Sequence, residues 1–80
     1  MDDLSTNQKT VGLNQTIKAL EEGKIARVYL ADDAEDKIRT KVTLACMKEE
    51  VEIISIDSMK SLGKACGIDV KSAVCGILKD

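Results

Sequence analysis

The sequence predicts an α/β fold, a three-layer α/β/α sandwich with a four-stranded mixed sheet. Three observations point to it. Short apolar runs alternate with stretches of helical periodicity, in the order β-α-β-α-β-α-β. The runs "RVYLA" (27–31) and "AVCGIL" (73–78) are almost wholly apolar, which a strand tolerates only when both faces of its sheet are covered. Finally, 80 residues bury only about 60% of their unfolded surface. Such a chain needs one economical core, and a hydrophobic content of 44% supplies it. Residues 1–80 are therefore expected to form a single domain, and helices between strands call for right-handed parallel crossovers.

The elements follow in order. Residues 1–8 are polar and expected to be loose. Lys9-Thr10-Val11 forms a short strand, and Gly12 turns the chain into a helix from Asn14 to Glu22 that Gly23 ends. Leu13, Ile17 and Leu20, spaced i, i+4 and i+7, form its apolar face. After the strand 27–31, the acidic stretch "DDAED" (32–36) opens the next helix, where the macrodipole favours negative charge. Ile38, Val42, Ala45 and Cys46 form the buried stripe of that helix. "VEIISI" (51–56) is the next strand. Asp57 or Ser58 caps a third helix with Met59, Leu62 and Cys66 inward, and Gly67 closes it. The strand 73–78 comes last.

Composition excludes several kinds of chemistry. There is no histidine, so Ser-His and Cys-His triads are ruled out and the commonest general base is missing. Cys46, Cys66 and Cys75 lie in apolar segments without the C-x-x-C spacing of a zinc or redox site, and buried reduced thiols are expected. "SLGKACG" (61–67) contains a Gly-Lys pair but fails as a phosphate loop. Ser58 stands where the first glycine is needed, and Ala65 where Ser or Thr must follow the lysine. The carboxylate pairs Asp32-Asp33 and Glu49-Glu50 sit at helix ends with nothing to suggest a cleft. Tyr29 is the sole aromatic, too few for a surface that stacks single-stranded bases. No enzyme, metal or cofactor is expected. Without an 18-residue apolar run or a secretory leader, a cytoplasmic protein is expected.

Charge is informative through its distribution. The net charge of −2 argues against a generic nucleic-acid binder. Two segments nevertheless lack acids altogether: Leu4 to Leu20, with Lys9 and Lys18, and Ser58 to Ile68, with Lys60 and Lys64. Residues 32–57, by contrast, hold eight acids against four bases. In the first acid-free segment, Asn14, Gln15 and Lys18 gather at a helix start behind Gly12. Free N–H groups and the positive end of the dipole suit phosphate there, and the two amides offer donor and acceptor to base edges. Lys18 adds a point charge one turn on, and Gly12 allows a foreign backbone to come close.

"VGLNQTIKALEEGKIARVYLADDAE" followed by "SLGKACGIDV" resembles the kink-turn-binding ribosomal protein family, with its archaeal L-seven-Ae type and small bacterial YbxF-like members. The likeness spans nearly the whole chain. It rests on two motifs, G-x-N-[EQ]-x-x-K at a helix start and L-G-[KE]-A-x-G-[IV]-[ED]-V before the last strand. The resemblance implies a protein that recognises and stabilises sharply bent RNA containing tandem sheared G·A pairs. It sets Gly12, Asn14, Gln15 and Lys18 against those pairs and the adjacent backbone. Ile68, Asp69 and Val70 would meet a base flipped out of the bulge, and Lys64, from the second acid-free segment, is expected among the RNA-binding residues. Two positions depart from the family: Gln15 stands where the archaeal type usually has Glu, and Leu13 where a helix-capping Thr is frequent. With Leu13 unable to cap, Asn14 is the side chain placed to do so. The partner implied is structured RNA, ribosomal or riboswitch-like, bound by a monomer with no membrane contact. The alternative is a protein-interaction module on the same fold, using the acidic segment 32–57 and binding no RNA.

Overall fold

The computed structural model describes residues 8–67 and 70–79. Seven elements follow one another: β1 (Lys9–Val11), α1 (Leu13–Glu21), β2 (Ile25–Ala31), α2 (Asp36–Glu49), β3 (Glu52–Ile56), α3 (Met59–Ala65) and β4 (Val74–Leu78). The sheet order is β1-β4-β2-β3. β2 and β3 are parallel, whereas β4 runs antiparallel to both β1 and β2. The sheet is thus mixed, and the parallel crossover expected between the last two strands does not form. The segment after α3 is tied back to the start of that helix by the Ser72 N–H, which donates to the Met59 carbonyl at 3.1 Å, so the chain enters β4 from the end of the sheet it had just left.

This topology has one consequence for function. β1, β2 and β3 all point the same way, so α1, α2 and α3 all begin at the same end of the sheet. The segment leading into β4 arrives at that end too.

Two cores flank the sheet. On one face α1 and α2 bury Ala19, Leu20, Val42 and Cys46 against Ile25, Val28, Leu30 and Val74. On the other, α3 buries Leu62 and Cys66 against Tyr29, Ala31, Cys75 and Ile77. Val28 and Val74 lie on the α1–α2 side and their neighbours Tyr29 and Cys75 on the α3 side, which is why these runs are apolar throughout. The face of α1 differs in detail from its apolar spacing. Thr16 is fully buried while Leu13 and Ile17 are half-covered. Its hydroxyl lies 2.9 Å from that of Thr10, and Thr10 Oγ1 accepts the Gly76 N–H at 3.1 Å. This pair of hydroxyls joins α1, β1 and β4 from inside the protein.

The three thiols are buried and unpaired. Burial pushes the Cys46 thiol up to about 11. Burial likewise pushes the Cys66 thiol up to about 12, reinforced by its hydrogen bond with the neighbouring Cys75 thiol. Thiols held so firmly in the neutral form are poor nucleophiles and poor metal ligands. Among the described residues no group of three or more metal-binding side chains is assembled, and no helix is long and apolar enough to cross a membrane.

Candidate nucleic-acid interface

Gly12 is the N-cap of α1, with φ +92° and ψ 165°. An L side chain rarely adopts that backbone, so glycine is required here by conformation. A Cβ built on it would meet nothing within 4 Å, so open space lies in front of the helix start. The Gly12 N–H is bonded to the Val74 carbonyl at 2.9 Å, and the Gly12 carbonyl accepts the Thr16 N–H at 3.2 Å. Leu13, Asn14 and Gln15 then contribute the N–H groups that a helix cannot satisfy internally. Gly12 has no side chain with which to cap them, and no acid occupies the first turn. The positive end of α1 is therefore open to an anion.

Asn14 is not consumed as a cap: Gly12 takes the N-cap position, and Asn14 is the second residue of the helix, exposed to solvent. Gln15, the third residue, turns its Oε1 back to accept the Val11 N–H at 3.3 Å. That bond resembles one half of a capping box, and it leaves the amide nitrogen of Gln15 as the group facing outward. Lys18, four residues beyond Asn14, projects from the same side of α1 and is exposed. Gly12, Asn14, Gln15 and Lys18 are thus brought together.

The second motif arrives from the other side of the sheet. Val70 is 69% exposed, unusual for so large an apolar residue. Its backbone lies against α3 at Gly63, where a built Cβ would collide with the Val70 carbonyl. Val70 is four residues before Val74, the residue that holds Gly12, so the two motifs meet at one end of the sheet. Lys60 and Lys64 are exposed one turn apart on α3. Ile68 and Asp69 lie outside the described residues. Lys9 belongs elsewhere: it is half-buried in β1 opposite Ile77, and its charge acts on Cys66 beneath α3. The sequence reading missed Lys71, exposed beside Val70. The acid at position 69 had ended the charge run just before it. The ion pair Lys24–Glu22 (3.6 Å) lies at the far end of α1, and Arg39–Asp36 (3.9 Å) sits in the first turn of α2.

Comparison with known proteins agrees with the two motifs. A sequence profile described as the ribosomal protein L7Ae/L30e/S12e/Gadd45 family matches residues 2–80. The RNA-binding protein GK0100 of Geobacillus kaustophilus is 46% identical over 76 residues, 95% of this chain and 93% of that protein. The RNA-binding protein YbxF of Geobacillus stearothermophilus is 43% identical with the same coverage of both chains. Among solved structures, the Giardia lamblia 15.5kD RNA binding protein superposes with a TM-score of 0.86 at 32% identity, covering 99% of this chain and 67% of that one. A Bacillus halodurans protein of unknown function superposes with a TM-score of 0.87 over 96% of this chain and 77% of its own, and at 23% identity it speaks to fold alone. By profile, by sequence and by structure, the chain belongs to the ribosomal protein L7Ae/L30e/S12e/Gadd45 family.

Proposed function

We propose that this chain is a cytoplasmic, ribosomal-type RNA-binding protein, without enzymatic activity, that recognises and stabilises kink-turn RNA containing tandem sheared G·A pairs. The observation that carries this reading is the open, uncapped N-terminus of α1, with exposed Asn14, Gln15 and Lys18 around a positive-φ glycine, set at the same sheet end as exposed Val70. Asn14 and Gln15 read the edges of the G·A pairs, and the helix N–H groups and Lys18 hold the adjacent phosphates. Val70, with Lys64 on α3, meets the extruded base, and Ile68 and Asp69, which precede Val70 in the sequence, are assigned to the same contact. The protein favours the bent state by binding it more tightly than the extended one. Relatives named as RNA-binding proteins, and a structural neighbour named likewise, support the choice of ligand class.

A gel shift with a kink-turn RNA tests the reading. Replacing the tandem G·A pairs with Watson–Crick pairs leaves the phosphate charge unchanged and should abolish specific binding. Equal affinity for both RNAs would overturn it. The rival, a protein-interaction module, has one observation in its favour: Leu44 and Met47 on α2 are 61% and 69% exposed. Under that reading neither RNA is bound specifically.

A further inference from the structure

Asp33 stands outside every RNA-facing position named above, in the exposed turn between β2 and α2. Its Oδ1 accepts the Met59 N–H at 2.7 Å. Met59 opens α3, so that N–H has no acceptor within its own helix, and a carboxylate makes a short, charge-assisted bond to it. The Met59 carbonyl in turn accepts the Ser72 N–H at 3.1 Å. Ser72 is buried, and its hydroxyl donates to the Val74 carbonyl at 3.0 Å. That same carbonyl accepts the Gly12 N–H at 2.9 Å. A continuous path of hydrogen bonds thus runs from Asp33 through Met59, Ser72 and Val74 to the start of α1. It passes beneath both halves of the interface.

We propose that Asp33 is a positioning residue for RNA recognition, which by holding Met59 fixes the segment Val70–Ala73 and so aims Val70 at the extruded base. The role rests on the RNA reading above. Charge alone would argue against keeping an acid here, since a carboxylate near RNA repels phosphate. The contribution of Asp33 is therefore geometric. Gly63 bounds the segment on one side, the Ser72 N–H anchors it two residues on, and the Ala31 N–H bonds to the Ala73 carbonyl at 2.9 Å. Of these restraints, the anchor through Met59 is the one that a single exposed side chain controls.

The test compares Asp33→Ala with Asp33→Asn on two RNAs, a kink-turn and the same RNA with an abasic site at the extruded position. Asn keeps an acceptor oxygen and loses the charge, whereas Ala loses both. On the intact RNA, Ala should bind about tenfold more weakly than wild type, while Asn binds at least as well as wild type. On the abasic RNA the penalty of Ala should vanish. Equal binding by Ala and Asn, or the same penalty on both RNAs, would overturn the proposal. Hydrogen exchange of the free protein supplies a second readout. Asp33→Ala should speed exchange of the Ser72 amide about tenfold while the core amide of Val28 keeps its rate. Unchanged exchange at Ser72 refutes the positioning role even if the RNA reading holds. Failure of wild type to bind any kinked RNA removes the RNA reading itself, and the recognition role with it.

Discussion

At the junction of β1 and α1, the outward-facing groups come from seven consecutive residues, Gly12 to Lys18, on one helix start. On the Val70 side, each feature is held by a residue distant in the chain: Gly63 bounds the backbone, Met59 anchors Ser72, and Asp33 anchors Met59. The first half is rigid because a helix specifies its own side-chain directions. The second has no such internal rule and takes its shape from its neighbours. Base recognition on the helix should therefore survive changes elsewhere, whereas contact with the extruded base should fail when any neighbour yields.

The largest expected effect breaks the second half from behind. Gly63→Ala brings a Cβ within 3.1 Å of the Val70 carbonyl carbon and 3.2 Å of the Lys71 Cα, both backbone atoms that cannot swing away. Overpacking of this kind costs about 1–3 kcal/mol. Urea unfolding should show the loss, and affinity for the intact kink-turn should fall with it. A stable Gly63→Ala protein with unchanged affinity would mean that the segment is not tightly seated.

Val70→Asp attacks the same half from the front. With 69% of Val70 exposed, the thermal midpoint should barely move, since surface changes stay within about 0.5 kcal/mol. Affinity for a kink-turn should drop about tenfold, with little change for plain duplex. Lys18→Ala sharpens the other half: a loss of a few-fold, on the order of one phosphate contact, again with the midpoint unchanged. The four exposed lysines near the interface, Lys18, Lys60, Lys64 and Lys71, imply a shallow salt slope, about −2 to −4 at roughly −0.9 per phosphate. A much steeper slope would assign the binding to charge, not shape.

The last effect lies behind the loop and is invisible at neutral pH. The Cys66 thiol is raised from 9.0 to about 12 in the folded protein, chiefly by burial. Folded and unfolded states then hold the same proton below pH 9. Above it the unfolded chain releases the proton while the folded one keeps it, so stability falls as pH rises toward 12. The urea midpoint should decline between pH 8.5 and 10.5, and Cys66→Ala should lessen that decline, leaving the part due to Cys46, which burial raises likewise.

Much of this molecule was legible before folding because its signals are local. Short apolar runs and period 3.6 located all seven elements, since a strand covered on both faces and a helix covered on one demand those patterns. Gly12, Asn14, Gln15 and Lys18 were legible as a group because four residues make one helical turn, whatever the helix packs against. What distance in sequence conceals, only the tertiary structure decided. Nothing in "AVCGIL" tells which way the strand runs; the return of the chain to the start of α3 turns β4 antiparallel. Thr16 looks like a surface residue until Thr10 is brought 2.9 Å from it across the β1–α1 turn. Gln15 shows no preferred end until the Val11 N–H claims its oxygen. Asp33 reads as dipole matching for α2, yet it bonds to Met59, 26 positions away. Local patterns specify which faces must be covered, and hydrogen-bond partners are chosen only when those faces meet.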